Sequence, residues 1–449
     1  MNTQLAQPSM RTVFDLAWPM TVKAVMVFAT VVIDTILVAP LGETALGAMA
    51  LASAIGGFVL GTAHAFSNGL QIRTAQARGK DDPDFLSSTL WIGLALSMSV
   101  GVIGAILVTL FGPMIIATMS QSAEMQRMAT DYLTVFVIVI LAESFGQALS
   151  TFFNGLGQTR QPMFSYLIAV PTNIVISIIL IHGHFGLPAL GVMGAACGSA
   201  IAVVTQASYL YWRLRRLRIG RPTQWYGGSL GNAVKRHLRF VTPVAATFIS
   251  AIAAADICVL LYAKLALNDF AAMSIIGPWI QIGGTFGMQW AQASGISVAQ
   301  MMGRNATAAQ LNGFLKRAWG GAAIGAIIVA AIYGILCLLI DRIYPELTAE
   351  TQSALLSFLP ILLLLPFPKG SNAMCGNTLR AAGDTMAVMH IFIWSQWVFR
   401  VPATALFILV WDVNVVWVLS IQLIEELLKF PMFHLRFMWS DWRTGRRFG

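Results

Sequence analysis

Charge is what this sequence has least of. Only 10% of its 449 residues are charged, whereas 57% are hydrophobic and the mean hydropathy is +0.73. An ordinary soluble domain is about a quarter charged. A chain so composed lacks the polar side chains to cover a water-facing surface of its size, so lipid must solvate most of it. Cysteine is also scarce. Cys197, Cys258, Cys337 and Cys375 lie in apolar stretches with no CxxC spacing, and read as small buried hydrophobes rather than disulfide or metal ligands. The opening MNTQLAQPSMRTVFD has neither the apolar core nor the cleavage site of a signal peptide, so the first span is expected to be retained. No P-loop occurs, because Gly79 and Lys80 are followed by Asp81, and HExxH and GxSxG are absent. These gaps argue against ATP hydrolysis and against an enzyme, and no cofactor is expected.

What the chain does have is long apolar runs. Twelve spans are expected, at 13–38, 44–70, 86–111, 126–152, 161–181, 188–212, 240–264, 270–301, 314–340, 351–379, 386–410 and 413–437. Of the 28 Lys and Arg, 21 fall on the side shared by both termini and only Arg127, Lys264 and Arg342 on the other. The positive-inside rule then predicts cytoplasmic termini and a multi-pass protein of the inner (plasma) membrane. The run RLRRLRIGR at 213–221 could suggest nucleic acid, but directly after a span it reads as an anchor against anionic lipid. Asp81, Asp82 and Asp84 (DDPD) faintly resemble a magnesium-diphosphate motif; in a short basic loop with no partner motif, a solvated turn is the better reading.

Three landmarks repeat. Pro19 in LAWPM matches Pro243 in FVTPV, and Gly79 in AQARGK matches Gly303 in AQMMGR, both 224 residues on; Gly157 in GLGQTRQPM matches Gly383 in RAAGDTMAVM, 226 on. Six spans separate the copies, so the halves share one orientation. The expectation is an all-α integral membrane fold of two six-helix lobes related by a pseudo-twofold axis along the membrane normal. The lobes would be 1–212 and 240–449, with 213–239 a basic cytoplasmic connector, and the protein is expected to be monomeric.

An ionisable side chain in mid-span costs at least about 2.5 kcal/mol to insert and is presumed functional. Asp34, Glu143, Asp256 and Lys369 stand out. By the duplication Asp34 corresponds to Asp256 and Glu143 to Lys369, so the first lobe carries two acids where the second carries an acid and a base. Two crowded carboxylates can share a proton or Na+, which makes Asp34 with Glu143 the expected cation-coupling pair. Asp256 and Lys369 could neutralise each other as an ion pair. Weaker candidates are His64 as a proton relay, Arg400 as a substrate-facing charge, and Met26, Trp279, Phe286, Met288, Trp290 and Trp394 as a soft wall for varied aromatic substrates. Glu425 and Lys429, spaced i, i+4, read as a same-helix pair.

IDTILVAPLGETALGAMALAS, GLGQTRQPM, NIVISIILIHGHFGLPALGVMGAACGSAIA and TLRAAGDT, in this order and spacing, resemble the multidrug and toxic compound extrusion (MATE) family, with the likeness running from about residue 13 to residue 437. The resemblance implies two six-helix lobes and export of drug-like, often cationic compounds against entering Na+ or H+. It also implies a first-lobe cation site to which Asp34, Asn173 and Ser199 correspond, with Ser177 standing where the family has a second Asp. Lys369 takes a place where the Na+-coupled bacterial branch has an acid, so second-lobe cation binding is not expected. A flippase of the same two-lobe plan and a membrane-embedded enzyme are the competing readings.

Overall fold

The apolar runs form helices throughout, and no strand occurs among the described residues of this computed structural model, which are 8–345 and 347–444. Arg446 and Arg447, counted above on the cytoplasmic side, lie outside them. The first nine long helices among the described residues are unbroken: α1 (Met10–Val38), α2 (Glu43–Lys80), α3 (Pro83–Met119), α4 (Ala123–Gly155), α5 (Arg160–His182), α6 (Val192–Arg216), α7 (Leu230–Tyr262), α8 (Leu267–Gly303) and α9 (Ala308–Leu338). The tenth expected span is broken into α10a (Ala349–Leu364) and α10b (Pro366–Ala381), bent by 42°. Pro366 and Pro368 have no N–H to continue the ladder there. A six-residue π-helical turn, Ser395–Arg400, interrupts α11 (Thr385–Leu409), and α12 (Val415–Trp439) closes the series.

Several helices outrun the expected spans. The 38 residues of α2 extend about 57 Å at 1.5 Å per residue, nearly twice a bilayer's hydrocarbon core. The charges ending the apolar run at Arg73, Arg78 and Lys80 do not end the helix, because in water a helix stops at caps and glycines rather than at charge. Those caps are local. Asp82 accepts from the Phe85 N–H at 2.9 Å, Ser122 from that of Met125 at 3.1 Å, and Thr307 forms a capping box with Gln310. By length and composition, nine described helices can cross a bilayer, ten with the bent pair. The other two long helices are α8, rich in Gly and Gln, and α12, which carries Glu425, Glu426 and Lys429.

The duplicated turns share one conformation. Gly157 (φ 80°) and Gly383 (φ 86°) are both left-handed, as the chain reversal after α4 and after α10b requires, and each N–H returns to a carbonyl three residues back.

The described chain divides into two compact units, Val22–Ala245 in one and the residues through Thr21 with those from Ala246 onward in the other. Both boundaries fall two residues past a repeated proline, so α1 and α7 each contribute to both units. In the first unit a core of small and aromatic side chains (Ala48, Ala52, Tyr132, Phe136, Ile140) and a second around Leu70, Leu149, Phe152 and Phe153 flank a polar layer on α4. The loop after α6 is tied to α3: Gly220 O accepts from Ser87 Oγ and Trp91 Nε1, and the Phe85 and Tyr226 rings stack at 4.0 Å. The second unit packs around Cys258, Met273, Tyr333, Phe358 and Leu419.

Candidate functional site

Asp34 lies a turn before the end of α1, where Ser199 of α6 reaches it: Ser199 Oγ donates to Asp34 Oδ2 at 3.1 Å and accepts from Asn173 Nδ2 of α5 at 3.0 Å. Asn173 and Ser177, spaced i, i+4, share a face of α5. That face sits against glycines of α6. A Cβ on Gly198 would run into Ser177 Oγ, and one on Gly194 would meet the Ile181 N and Leu180 C=O backbone at 2.7 and 2.8 Å. The close approach brings Asn173, Ser177 and Ser199 into one nearly solvent-free corner, at 1, 0 and 9% exposure.

Three oxygens in this corner are buried without a hydrogen-bond partner: Asp34 Oδ1, Asn173 Oδ1 and Ser177 Oγ. Leaving a buried polar group unpaired costs about 1–3 kcal/mol each, so a free carboxylate oxygen with two further unpartnered oxygens in the same corner is a candidate binding geometry. All are oxygen donors, the set a proton or a hard cation takes. Such an ion would travel as a co-substrate, and the donor set fits it.

Glu143 is built into a different cluster. Its Oε1 accepts from Tyr166 OH at 3.1 Å and lies 3.2 Å from His64 Nε2, and no hydrogen bond joins it to Asp34. Nearby, Lys23 of α1 donates to Gln147 Oε1 at 2.8 Å and Ser150 Oγ at 2.7 Å, with its ammonium 5.3 Å from the Tyr166 ring centroid. Lys23 and Glu143 are 9 and 5% exposed, and the ammonium offsets the carboxylate's charge. Lys23 precedes Asp34 by eleven residues, about 16 Å of helix, so α1 carries two separate polar stations. Reading the sequence for isolated charges places Lys23 within a span but gives it no role, and misses Gln147, Ser150 and Tyr166. A signal was available, since Glu143, Gln147, Ser150 and Asn154 mark one face of α4 at helical spacing.

In the second unit the expected ion pair of Asp256 with Lys369 does not form. Asp256 is exposed and pairs with nothing among the described residues, and the acids acting on Lys369 are Glu426 and, less strongly, Glu425 of α12. The physical reason is helical phase. The proline repeat of 224 residues maps Asp34 onto Cys258, not Asp256, and two residues turn a helix by about 200°. Cys258 is indeed buried, its Sγ 3.8 Å from Thr404 Oγ1. Glu425 and Lys429 do pair, at 3.1 Å, within a larger cluster. Lys429 also holds Glu426 at 2.8 Å, Arg400 lies 3.6 Å from Glu425, Ser395 donates to Glu425, and Asn372 donates to Glu426 at 2.8 Å.

The soft-wall candidates are divided between the two units. Met26 and His64 belong to the first unit, and His64 is engaged with Glu143. Trp290 donates to Ala318 O at 2.9 Å with its ring over Gly321, which makes it packing between α8 and α9. The Trp279 carbonyl accepts from Tyr333 OH, Met288 Sδ lies 4.0 Å from Asn377 Nδ2, and Phe286 and Trp394 are exposed. The DDPD cluster is structural: Asp82 caps α3, Asp84 accepts from the Thr223 N–H and hydroxyl at 2.7–2.9 Å, and Asp81 sits 3.8 Å from Arg78.

Set beside known proteins, residues 19–179 match the MatE family model. A probable multidrug resistance protein NorM of Rhizobium meliloti (strain 1021) is 24% identical over 81% of this chain and 79% of its own length. Its namesake in Oceanobacillus iheyensis is 35% identical over 27% of this chain, an alignment that spans only 26% of the relative. Among solved structures, a MATE point mutant superposes at a TM-score of 0.84 with 18% identity, covering 97% of both chains. An outward-facing multidrug resistance MATE transporter of the MOP superfamily reaches 0.82 with 18% identity and 95% of both. Structural likenesses of this degree show the fold, an all-helical integral-membrane bundle of the MATE type. Over residues 19–179 the chain is thus similar to the MATE family, and along most of its length to a relative called a probable multidrug resistance protein.

Proposed function

We propose that this protein is a secondary antiporter of the inner (plasma) membrane that exports small organic cations or amphipathic compounds in exchange for H+ or Na+. It would act as a monomer with both termini in the cytoplasm and lobes 1–212 and 240–449 joined by the 213–239 connector. The observation carrying this reading is the trio of unpartnered buried oxygens around Ser199. Asp34 supplies the charge that a captured cation cancels, while Asn173 and Ser177 supply neutral oxygens that replace its hydration. Ser199 keeps the carboxylate aimed at them. Charge cancellation on capture changes what α1 can hold next to α5 and α6, which is how ion entry would drive the export step.

The test is efflux of a fluorescent organic cation from proteoliposomes under separately imposed Na+ and pH gradients. Wild type is expected to respond to one of them. Asp34→Asn is expected to lose that response while keeping downhill leak of the dye, and gradient-driven export by this variant at the wild-type rate refutes the assignment.

A further inference from the structure

The ionic cluster of the second unit is not balanced. Glu425 is matched by Lys429 and Arg400, and Glu426 by Lys429, which leaves Lys369 as a third cation against two acids. No acceptor lies within hydrogen-bond distance of Lys369 Nζ among the described residues. The ammonium instead lies over Gly284, where an added Cβ would come within 2.9 Å of it, at the wall of a cavity of 140 Å³ between α8, α9, α10b, α11 and α12. Apart from Asn372 Oδ1, the other polar side-chain groups on that wall are already engaged. Both Glu426 oxygens are bonded, to Lys429 and Asn372; the Asn372 amide is given to Glu426; and Tyr333 OH donates to the Trp279 carbonyl. Asn372 Oδ1 is an unpartnered acceptor that sets no charge requirement. Elsewhere the lining is apolar, with Ile280, Met288, Val329, Leu365 and Phe392.

An ammonium without a hydrogen-bond acceptor of its own, in a cluster with one cation in excess and facing a largely apolar chamber, selects the complement of its charge. The volume selects size, since an apolar cavity of roughly 150 Å³ holds a benzene ring. We propose that this cavity is a binding site for a small organic monoanion, a carboxylate whose apolar body is about the size of one ring. Its carboxylate accepts from Lys369 Nζ, and its ring lies against Met288, Val329 and Phe392. The site lies wholly within the second unit and uses none of the cation-coupling residues, so the two assignments stand or fall separately.

Isothermal titration of the purified full-length protein with benzoate tests it, with acetate and cyclohexylmethylammonium as probes of size and sign. Benzoate is expected to bind saturably, and acetate at least about tenfold more weakly for want of the ring. The cation is expected not to bind there. Lys369→Met is expected to weaken benzoate at least about tenfold, the scale of a lost hydrogen bond to a charged group, and Lys369→Arg to stay within a few-fold of wild type. Gly287 lines the same wall with open space where a Cβ would go, so Gly287→Leu fills the cavity without touching a charge and is expected to abolish binding. Asp34→Asn is expected to bind benzoate as wild type does. Monodispersity on size exclusion and retained coupling-cation binding by Lys369→Met show that the variant is folded. Benzoate binding unchanged in Lys369→Met or in Gly287→Leu overturns the proposal, as does the absence of saturable binding in wild type. Acetate binding as tightly as benzoate removes the ring subsite, and tighter binding of the cation reverses the sign of the site.

Discussion

At the scale of single residues, the buried polar groups of the first unit fall into two kinds, and opposite mutational behaviour separates them. Lys23 and Glu143 lie in one buried, hydrogen-bonded cluster and offset each other's charge without a direct ion pair, with Glu143 Oε2 left unpartnered. Removing one partner of such a buried pair leaves an isolated charge and costs about 3–5 kcal/mol. Lys23→Met should therefore lower the unfolding free energy by that order in detergent, and the double variant with Glu143→Gln should recover most of it. Equal losses in single and double variants would mean that the two do not compensate each other. Ser177 is the other kind. Its hydroxyl is fully buried and bonded to nothing, so it costs stability unless a ligand uses it. Ser177→Ala should leave the protein as stable or more stable, by up to about 1–3 kcal/mol, while weakening cation binding several-fold. A destabilised variant with unchanged cation affinity would make Ser177 a packing residue. The sequence exposed Asp34 through the price of a mid-span charge and Asn173, Ser177 and Ser199 through family resemblance. The role of Lys23 stayed hidden because its partners lie 124 and 127 residues away, and no local pattern encodes that closure.

At the scale of elements, the candidate site depends on how closely α5 can lie against α6. Gly194 and Gly198 set that distance, and neither belongs to the donor set. Gly198→Ala should push α6 off Ser177, separate Asn173 from Ser199 and lower cation-coupled export by at least an order of magnitude, with the helix itself slightly favoured by alanine. Wild-type coupling in Gly198→Ala, measured in the same proteoliposomes, would show that the corner tolerates a looser fit. The twelve long helical segments were legible because apolar length is a strong signal. Their ends were not, since a helix leaving the bilayer continues until a cap such as Asp82 or a left-handed turn such as Gly157 stops it. The bend between α10a and α10b was marked by Pro366 and Pro368, and the π-helical turn at Ser395–Arg400 by nothing as plain. The pairing of Asp256 with Lys369 failed at this scale: matching halves by sequence offset locates a helix, but a two-residue slip in offset selects its opposite face.

At the scale of the whole molecule, two units built from one duplicated plan have come to carry different chemistry. The first gathers a lone carboxylate and neutral oxygens at Asp34. The second gathers a five-charge cluster with a cation in excess at Lys369. On the proposed function, this asymmetry confines cation coupling to the first unit. Equilibrium binding of the coupling ion to purified protein tests this most directly, using radioactive Na+ for one candidate and proton release at a pH electrode for the other. One site per chain is expected in wild type, lost in Asp34→Asn and unchanged in Asp256→Asn. Full binding in Asp34→Asn, or its loss in Asp256→Asn, would contradict it.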